Sequence, residues 1–249
     1  MDSLIQHQFT LRAPTFERSA SWIADPGLLE AHAAACELGP DATLLDVCCG
    51  TGIVGASFRG KVGRLVGVDL TQSMLDQAGQ KLDEVRKGSV YALPFEDGTF
   101  DGAVIREALH LMDSPALAAA QIFRVLKPGG QVIVGHAVPF GAEDTAWMRD
   151  VFLTKQPLAR FFYTEQNLRD MLEWVGFRDV KVTDHPLWES IDLWVDTDET
   201  PTPAREKIRR LFQEIPAEAA RIHPIEIRPD GEVRDCWRWI ILSARKPKE

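Results

Sequence analysis

Thr43-Leu44-Leu45-Asp46-Val47-Cys48-Cys49-Gly50-Thr51-Gly52-Ile53-Val54-Gly55 is the stretch whose reading decides the fold. A short apolar run ends in a glycine turn, and Gly50, Gly52 and Gly55 stand in G-x-G-x-x-G spacing. After a strand and before a helix, this spacing lets backbone approach a nucleotide at the carboxyl end of a parallel sheet. A second apolar run, residues 65–70, reaches Asp69 about 20 residues on, where a carboxylate can accept from both ribose hydroxyls. Thr71 then reads as a helix N-cap, with Met74, Leu75, Ala78 and Leu82 at helical spacing. Residues 89–92 give a weak third strand and residues 100–105 a fourth. A helix over 117–126 is closed by Lys127-Pro128-Gly129-Gly130, and residues 131–138 form a fifth strand. This alternation predicts an α/β fold with a parallel sheet covered on both faces.

After Pro139 the pattern changes. Residues 143–160 and 164–175 read as helices, the second stopped by Gly176. Residues 177–188 form a sixth strand. An acidic, proline-bearing stretch (192–203) and an amphipathic segment (204–221) follow. A strand rich in aromatic and β-branched residues covers 235–246. One domain over 1–249 is the simplest organisation.

The chain has 249 residues, 45% of them hydrophobic, enough for a sizeable core, and a net charge of −9. That charge argues against a nucleic-acid binder, which needs a basic footprint. No stretch approaches the roughly 18 uncharged apolar residues of a membrane span. Residues 1–20 carry Asp2, Arg12, Glu17 and Arg18 and lack the apolar core of a secretory signal. Four cysteines without CxxC spacing, and six histidines that do not supply zinc-ligand spacing, predict a reduced cytoplasmic protein with no metal.

The glycine fingerprint alone does not say which nucleotide is bound. A dinucleotide would set its pyrophosphate at the helix N-terminus, whereas S-adenosylmethionine offers an amino-acid tail instead. Asp46, just before the turn, would be a poor neighbour for a pyrophosphate and a suitable one for an ammonium. Residues 45–52 resemble the first motif of class I S-adenosylmethionine-dependent methyltransferases, and residues 68–75 the second. Residues 93–101 resemble the stretch into strand four, and residues 124–130 the turn before strand five. The order and spacing of the four motifs are those of the family, in its small-molecule branch, which includes the quinone-biosynthesis and type 11 methyltransferases. The resemblance covers roughly residues 40–138 and thins after Pro139.

The resemblance implies a Rossmann-like, doubly wound, mostly parallel seven-stranded sheet with an antiparallel last strand and helical cap insertions. Residues 1–38 would be lid helices, 40–138 the cofactor-binding core, and 139–163 and 188–232 insertions on the acceptor side. It implies S-adenosyl-L-methionine as cofactor, S-adenosyl-L-homocysteine as product, and a small-molecule acceptor. Asp46, Cys48, Gly50 and Gly52 would meet the methionyl end, Asp69 the ribose, and Leu70, Met74, Ser89, Val90 and Tyr91 the adenine. The family more often has an Asp-Ala pair where this chain has Ser89-Val90. Arg106 could hold the methionyl carboxylate or an acidic acceptor. His136 and then His110 are the candidate general bases, with Arg106 beside them. Tyr163, His185, Trp188 and Glu189 are further pocket candidates, and the segment 9–22, with Phe16 and Trp22, a candidate lid.

Methyl transfer from a sulfonium is an in-line displacement, so no obligatory nucleophile is expected. The acceptor atom could be O, N, C or S, and the many aromatics of the insertions fit an apolar or ring-bearing molecule. Two other readings stay open: an NAD(P)-dependent oxidoreductase, and an S-adenosylmethionine-binding protein that does not methylate. A monomer or a homodimer is expected, with no nucleic-acid partner.

Overall fold

The computed structural model describes residues 2–197 and 200–249. Met1 lies outside them, as do Asp198 and Glu199 of the acidic stretch in the 188–232 insertion. Strands β1 (Thr43–Val47), β2 (Arg64–Asp69), β3 (Glu84–Lys87), β4 (Phe100–Arg106) and β5 (Leu126–Val138) run parallel. Strands β6 (Arg178–Ser190), β7 (Ile225–Ile227) and β8 (Val233–Arg245) complete one sheet, ordered β3-β2-β1-β4-β5-β8-β6. Strand β8 is antiparallel to both β5 and β6. The short β7 takes up the flank of β8 beyond the end of β5, so the expected seven strands gain an eighth.

Helices α1 (Asp2–Arg12), α2 (Ser21–Ala24) and α3 (Pro26–Ala34) precede the sheet. Helices α4 (Ile53–Ala56), α5 (Gln72–Ala78) and α6 (Pro115–Val125) make crossovers between parallel strands. Helices α7 (Ala142–Lys155) and α8 (Glu165–Val175) lie between β5 and β6, and α9 (Ile191–Val195), α10 (Thr202–Gln213) and α11 (Ala217–Ala220) between β6 and β7.

The central strands are buried on both faces, which is why they read as continuous apolar runs. Leu44, Val104 and Ile133 point to one face, with Val54, Leu75, Trp147 and Met148 of α4, α5 and α7. Leu45, Ala103, Ile105, Val132 and Val134 point to the other, with Ile122 of α6 and Leu168 and Leu172 of α8. Each such fully buried aliphatic side chain contributes about 1.5–3 kcal/mol.

Several local expectations need correction. The third strand is Glu84–Lys87, and residues 89 and 92 make only an isolated bridge. This strand sits at the sheet edge and is partly exposed, so its sequence Glu-Val-Arg-Lys carries no apolar pattern. The helix after β2 ends at Ala78 rather than running to Leu82. Thr71 occupies its N-cap without a side-chain cap bond. The candidate lid segment 9–22 is built of separate elements: α1 ends at Arg12, a 3-10 turn covers Phe16–Arg18, and α2 starts at Ser21. The amphipathic segment 204–221 is broken before α11, where Pro216 is the N-cap.

Candidate active site

From β1 the chain winds outward through β2 to β3, then returns to place β4 on the other flank of β1. That reversal opens a crevice at the carboxyl ends of the strands. The principal cleft lies there, with about 1010 Å³ of free space including its open mouth. It is walled by Cys48–Thr51 after β1, Asp69–Thr71 at the end of β2, Gly88–Tyr91 after β3, and Arg106–Ala108 at the end of β4. Ile5 and Phe9 of α1, with Phe16 and Trp22, cover it from the N-terminal side, and Leu111 and Met112 close the far side.

The carboxylate of Asp69 organises the floor. It accepts from the Gly50 N–H at 2.9 Å and from the Thr71 N–H at 2.8 Å, and so links the two loops. Burial pushes its carboxyl group up from the usual range against these bonds. Gly50 has φ +52°, and a side chain there would meet only the Phe16 ring, at 3.9 Å, so the space over the loop stays open. Cys48 (φ 56°) and Glu107 (φ 48°) hold left-handed backbone without being glycine. Such conformations cost of order 1–3 kcal/mol each and concentrate at functional sites; both of these line the cleft.

Arg106 crosses the cleft's inner wall. Its Nη2 donates to the Ile23 carbonyl at 2.8 Å and its guanidinium lies 5.4 Å from the Trp22 ring. Its Nη1 is buried with no protein partner, as is Nε1 of Trp22. Burial lowers the Arg106 pKa to about 10, against the pull of Asp46 and Glu107, so it remains charged at neutral pH. Tyr91 is pinned by its phenol oxygen, which accepts from the Asp113 N–H at 2.7 Å.

Of the residues singled out from sequence, Cys48, Gly50, Asp69, Leu70, Ser89, Val90, Tyr91 and Arg106 come together on this wall. Asp46, Gly52, Met74, His110 and His136 do not line it. Asp46 lies behind the loop, where its carboxylate accepts from the Gly55 N–H at 2.8 Å. Burial raises its pKa to about 7. Gly52 (φ +78°) serves packing instead: a Cβ there would meet Ala78 Cα at 3.0 Å. Met74 is 1% exposed, on the inner side of α5. The two imidazoles sit beneath the wall, 3% and 1% exposed, with their rings 5.5 Å apart. Burial drives the His110 pKa well below its ordinary value.

No residue of 139–163, nor any described residue of 188–232, lines the cleft. Their aromatics pack inward: Trp147 against Phe212 and His223, and Trp194 against Trp237. Tyr163 is buried beside His136. His185 faces Asp25 at 3.9 Å. Trp188 and Glu189 border a separate shallow depression, where Glu189 accepts from the Ser21 N–H at 3.0 Å. Ile5, Leu111 and Met112 were missed by sequence reasoning. The apolar run after β4 is the signal that could have found the last two; an isolated Ile in α1 gives none.

Residues 45–134 match the family model described as "Methyltransferase domain". Over 213 residues the chain is 28% identical to a demethylmenaquinone methyltransferase of Lactiplantibacillus plantarum, covering 71% of this chain and 88% of that one. It is 40% identical over 100 residues to the demethylmenaquinone methyltransferase of Bacillus licheniformis, covering 37% of this chain and 43% of the relative's length. The YcgJ protein of Bacillus subtilis has a crystal structure that superposes with a TM-score of 0.80 at 19% identity, over 89% of this chain and 98% of that one.

Proposed function

We propose, for a chain that is a class I S-adenosylmethionine-dependent methyltransferase of the small-molecule type, that the cleft at the β1/β4 switch point holds the cofactor and presents its methyl group to an apolar or ring-bearing acceptor. The observation that carries this reading is the position of Asp69: a carboxylate at the end of β2, held by backbone of two loops, with one face in the cleft. Two buried polar atoms of the wall without a protein partner, Arg106 Nη1 and Trp22 Nε1, fit a ligand that supplies acceptors.

In this reading Asp69 accepts from the ribose hydroxyls. Leu70, Val90 and Tyr91 flank the adenine and Ser89 meets its amino group. Arg106 holds the methionyl carboxylate through its bare Nη1. Asp46 acts on the loop through Gly55 rather than on the ligand. When bound, the cofactor supplies a carbon electrophile whose leaving group is a neutral thioether. The chain's part is to align the acceptor and exclude water. Phe9, Phe16, Trp22, Leu111 and Met112 supply the apolar surround for this. We read the protein as a cytoplasmic monomer or homodimer without a nucleic-acid partner; the net charge of −9 supports the last point. Among the described residues no helix is long and apolar enough to cross a membrane.

Calorimetry with S-adenosylhomocysteine, with NAD(H) as the comparison, tests the reading. One molar equivalent of the first is expected to bind, with no heat from the second. A cleft indifferent to S-adenosylhomocysteine and S-adenosylmethionine, or one that takes NAD(H) alone, would overturn it.

A further inference from the structure

We propose that Glu107, His110 and His136 form a site for a divalent transition ion of the zinc type, directly behind the cleft wall. One ligand atom from each lies within 4.8 Å of the other two. Two imidazoles and one carboxylate are a three-ligand zinc set of the kind that leaves a coordination position open.

Two nitrogens of the group are left unsatisfied by the protein. His110 Nδ1 is buried without a hydrogen-bond partner, and the nearest Glu107 oxygen is 3.6 Å away. That separation is too long for a hydrogen bond. It is close to the roughly 3.4 Å between ligands of a tetrahedral ion with bonds of about 2.0–2.1 Å. On His136, Nδ1 donates to the Ala137 carbonyl at 2.8 Å and lies 3.4 Å from Glu107 Oε2, while Nε2, on the far side of the ring, is buried without a partner and is the nitrogen left to ligate. A ring fixed by one nitrogen through a backbone carbonyl, with its other lone pair free, is how metal-binding histidines are commonly oriented. The carboxylate is fixed too: Glu107 Oε2 accepts from the Ala137 N–H at 3.0 Å. An unpartnered buried polar atom costs about 1–3 kcal/mol, and two nitrogens of one cluster share that condition. An ion removes both costs at once.

Glu107 and His110 come from the segment just after β4 and His136 from β5, so no metal-ligand spacing in the chain announces the set. Glu107 also lines the cleft. An ion on it would act as a Lewis acid toward an oxygen-bearing acceptor. That role rests on the methyltransferase reading; the metal site does not.

Titration of metal-free full-length protein with Co²⁺, followed by visible absorption, tests the site. One equivalent is expected to bind, with ligand-field bands of a nitrogen–oxygen site, no strong thiolate charge transfer, and displacement by Zn²⁺. Glu107→Gln, His110→Ala and His136→Ala should each weaken binding at least about 100-fold, the upper end of what outer-shell changes cause. His7→Ala, on an exposed histidine, should leave it unchanged. No stoichiometric binding by wild-type protein, bands dominated by thiolate charge transfer, or binding insensitive to His110→Ala and His136→Ala would overturn the proposal. The wild-type titration decides even if a variant fails to fold. S-adenosylhomocysteine calorimetry on the same sample separates the two readings: binding of that ligand without Co²⁺ binding sinks the metal site alone.

Discussion

The Asp46 carboxylate points back into the protein, toward the Gly55 N–H at 2.8 Å, and not into the cleft. It thereby ties the end of β1 to the first turn of α4 and fixes the glycine loop from behind. The group is buried, and burial raises its pKa from 3.8 to about 7. Its folded-state pKa therefore lies above the unfolded one, and ionisation disfavours the folded state. Stability is expected to fall as pH rises from about 4 to about 7 and then to level off. Asp46→Asn keeps an oxygen for Gly55 and cannot ionise. Thermal unfolding against pH should show this decline in wild type and lose it in the variant; equal slopes would contradict the assignment.

Asp69→Ala removes both the proposed ribose partner and the acceptor for the Gly50 and Thr71 N–H groups. Hydrogen bonds to a charged group contribute about 1.5–3 kcal/mol each. The affinity for S-adenosylhomocysteine should fall by at least about 100-fold, since two such bonds exceed about 2.7 kcal/mol. Calorimetry reads the affinity, and circular dichroism checks that the sheet survives. Retention of wild-type affinity would remove Asp69 from the site.

Arg106 gives a sharper discrimination, because only part of the ligand should sense it. If Nη1 holds the methionyl carboxylate, Arg106→Gln should weaken S-adenosylhomocysteine by about 10- to 100-fold. Binding of 5′-methylthioadenosine, which lacks that carboxylate, should stay within about threefold of wild type, a difference below 1 kcal/mol. Equal losses for the two ligands would assign Arg106 to packing, through Ile23 and Trp22.

His223 joins α7 to β8 inside the cap. Its Nδ1 lies 2.8 Å from Asp144 and its Nε2 2.6 Å from Asp235, all three groups buried. Burial opposes the imidazolium, but the two carboxylates outweigh it and raise the pKa to about 9. The folded value exceeds the ordinary 6.5. The network's contribution is thus fully present below about pH 6.5 and is lost as pH rises through 9. His223→Gln should destabilise by about 3–5 kcal/mol at pH 6, the usual cost of breaking a buried ion pair from one side. It should also flatten the pH dependence above 6.5. Denaturant unfolding at pH 6 and pH 9 measures both; a variant as stable as wild type at pH 6 would refute the network's role.

The sequence alone determined the α/β alternation, the parallel core and the glycine turn, because buried strands and capped helices impose local periodicity on the residues that form them. It also placed Gly50 and Asp69 at one cleft, since a β–α–β unit sets the carboxyl ends of its two parallel strands, β1 and β2, side by side. Only the tertiary structure decided which way Asp46 faces. Side-chain direction at a strand end depends on which neighbouring N–H competes for it, here that of Gly55. The structure likewise decided that Glu107, His110 and His136 meet, and that His223 is clasped by Asp144 and Asp235. The segment after β4 meets β5 through sheet order, and His223 meets Asp144 and Asp235 through the packing of α7 and α11 against β8; neither arrangement leaves a periodic trace in the chain.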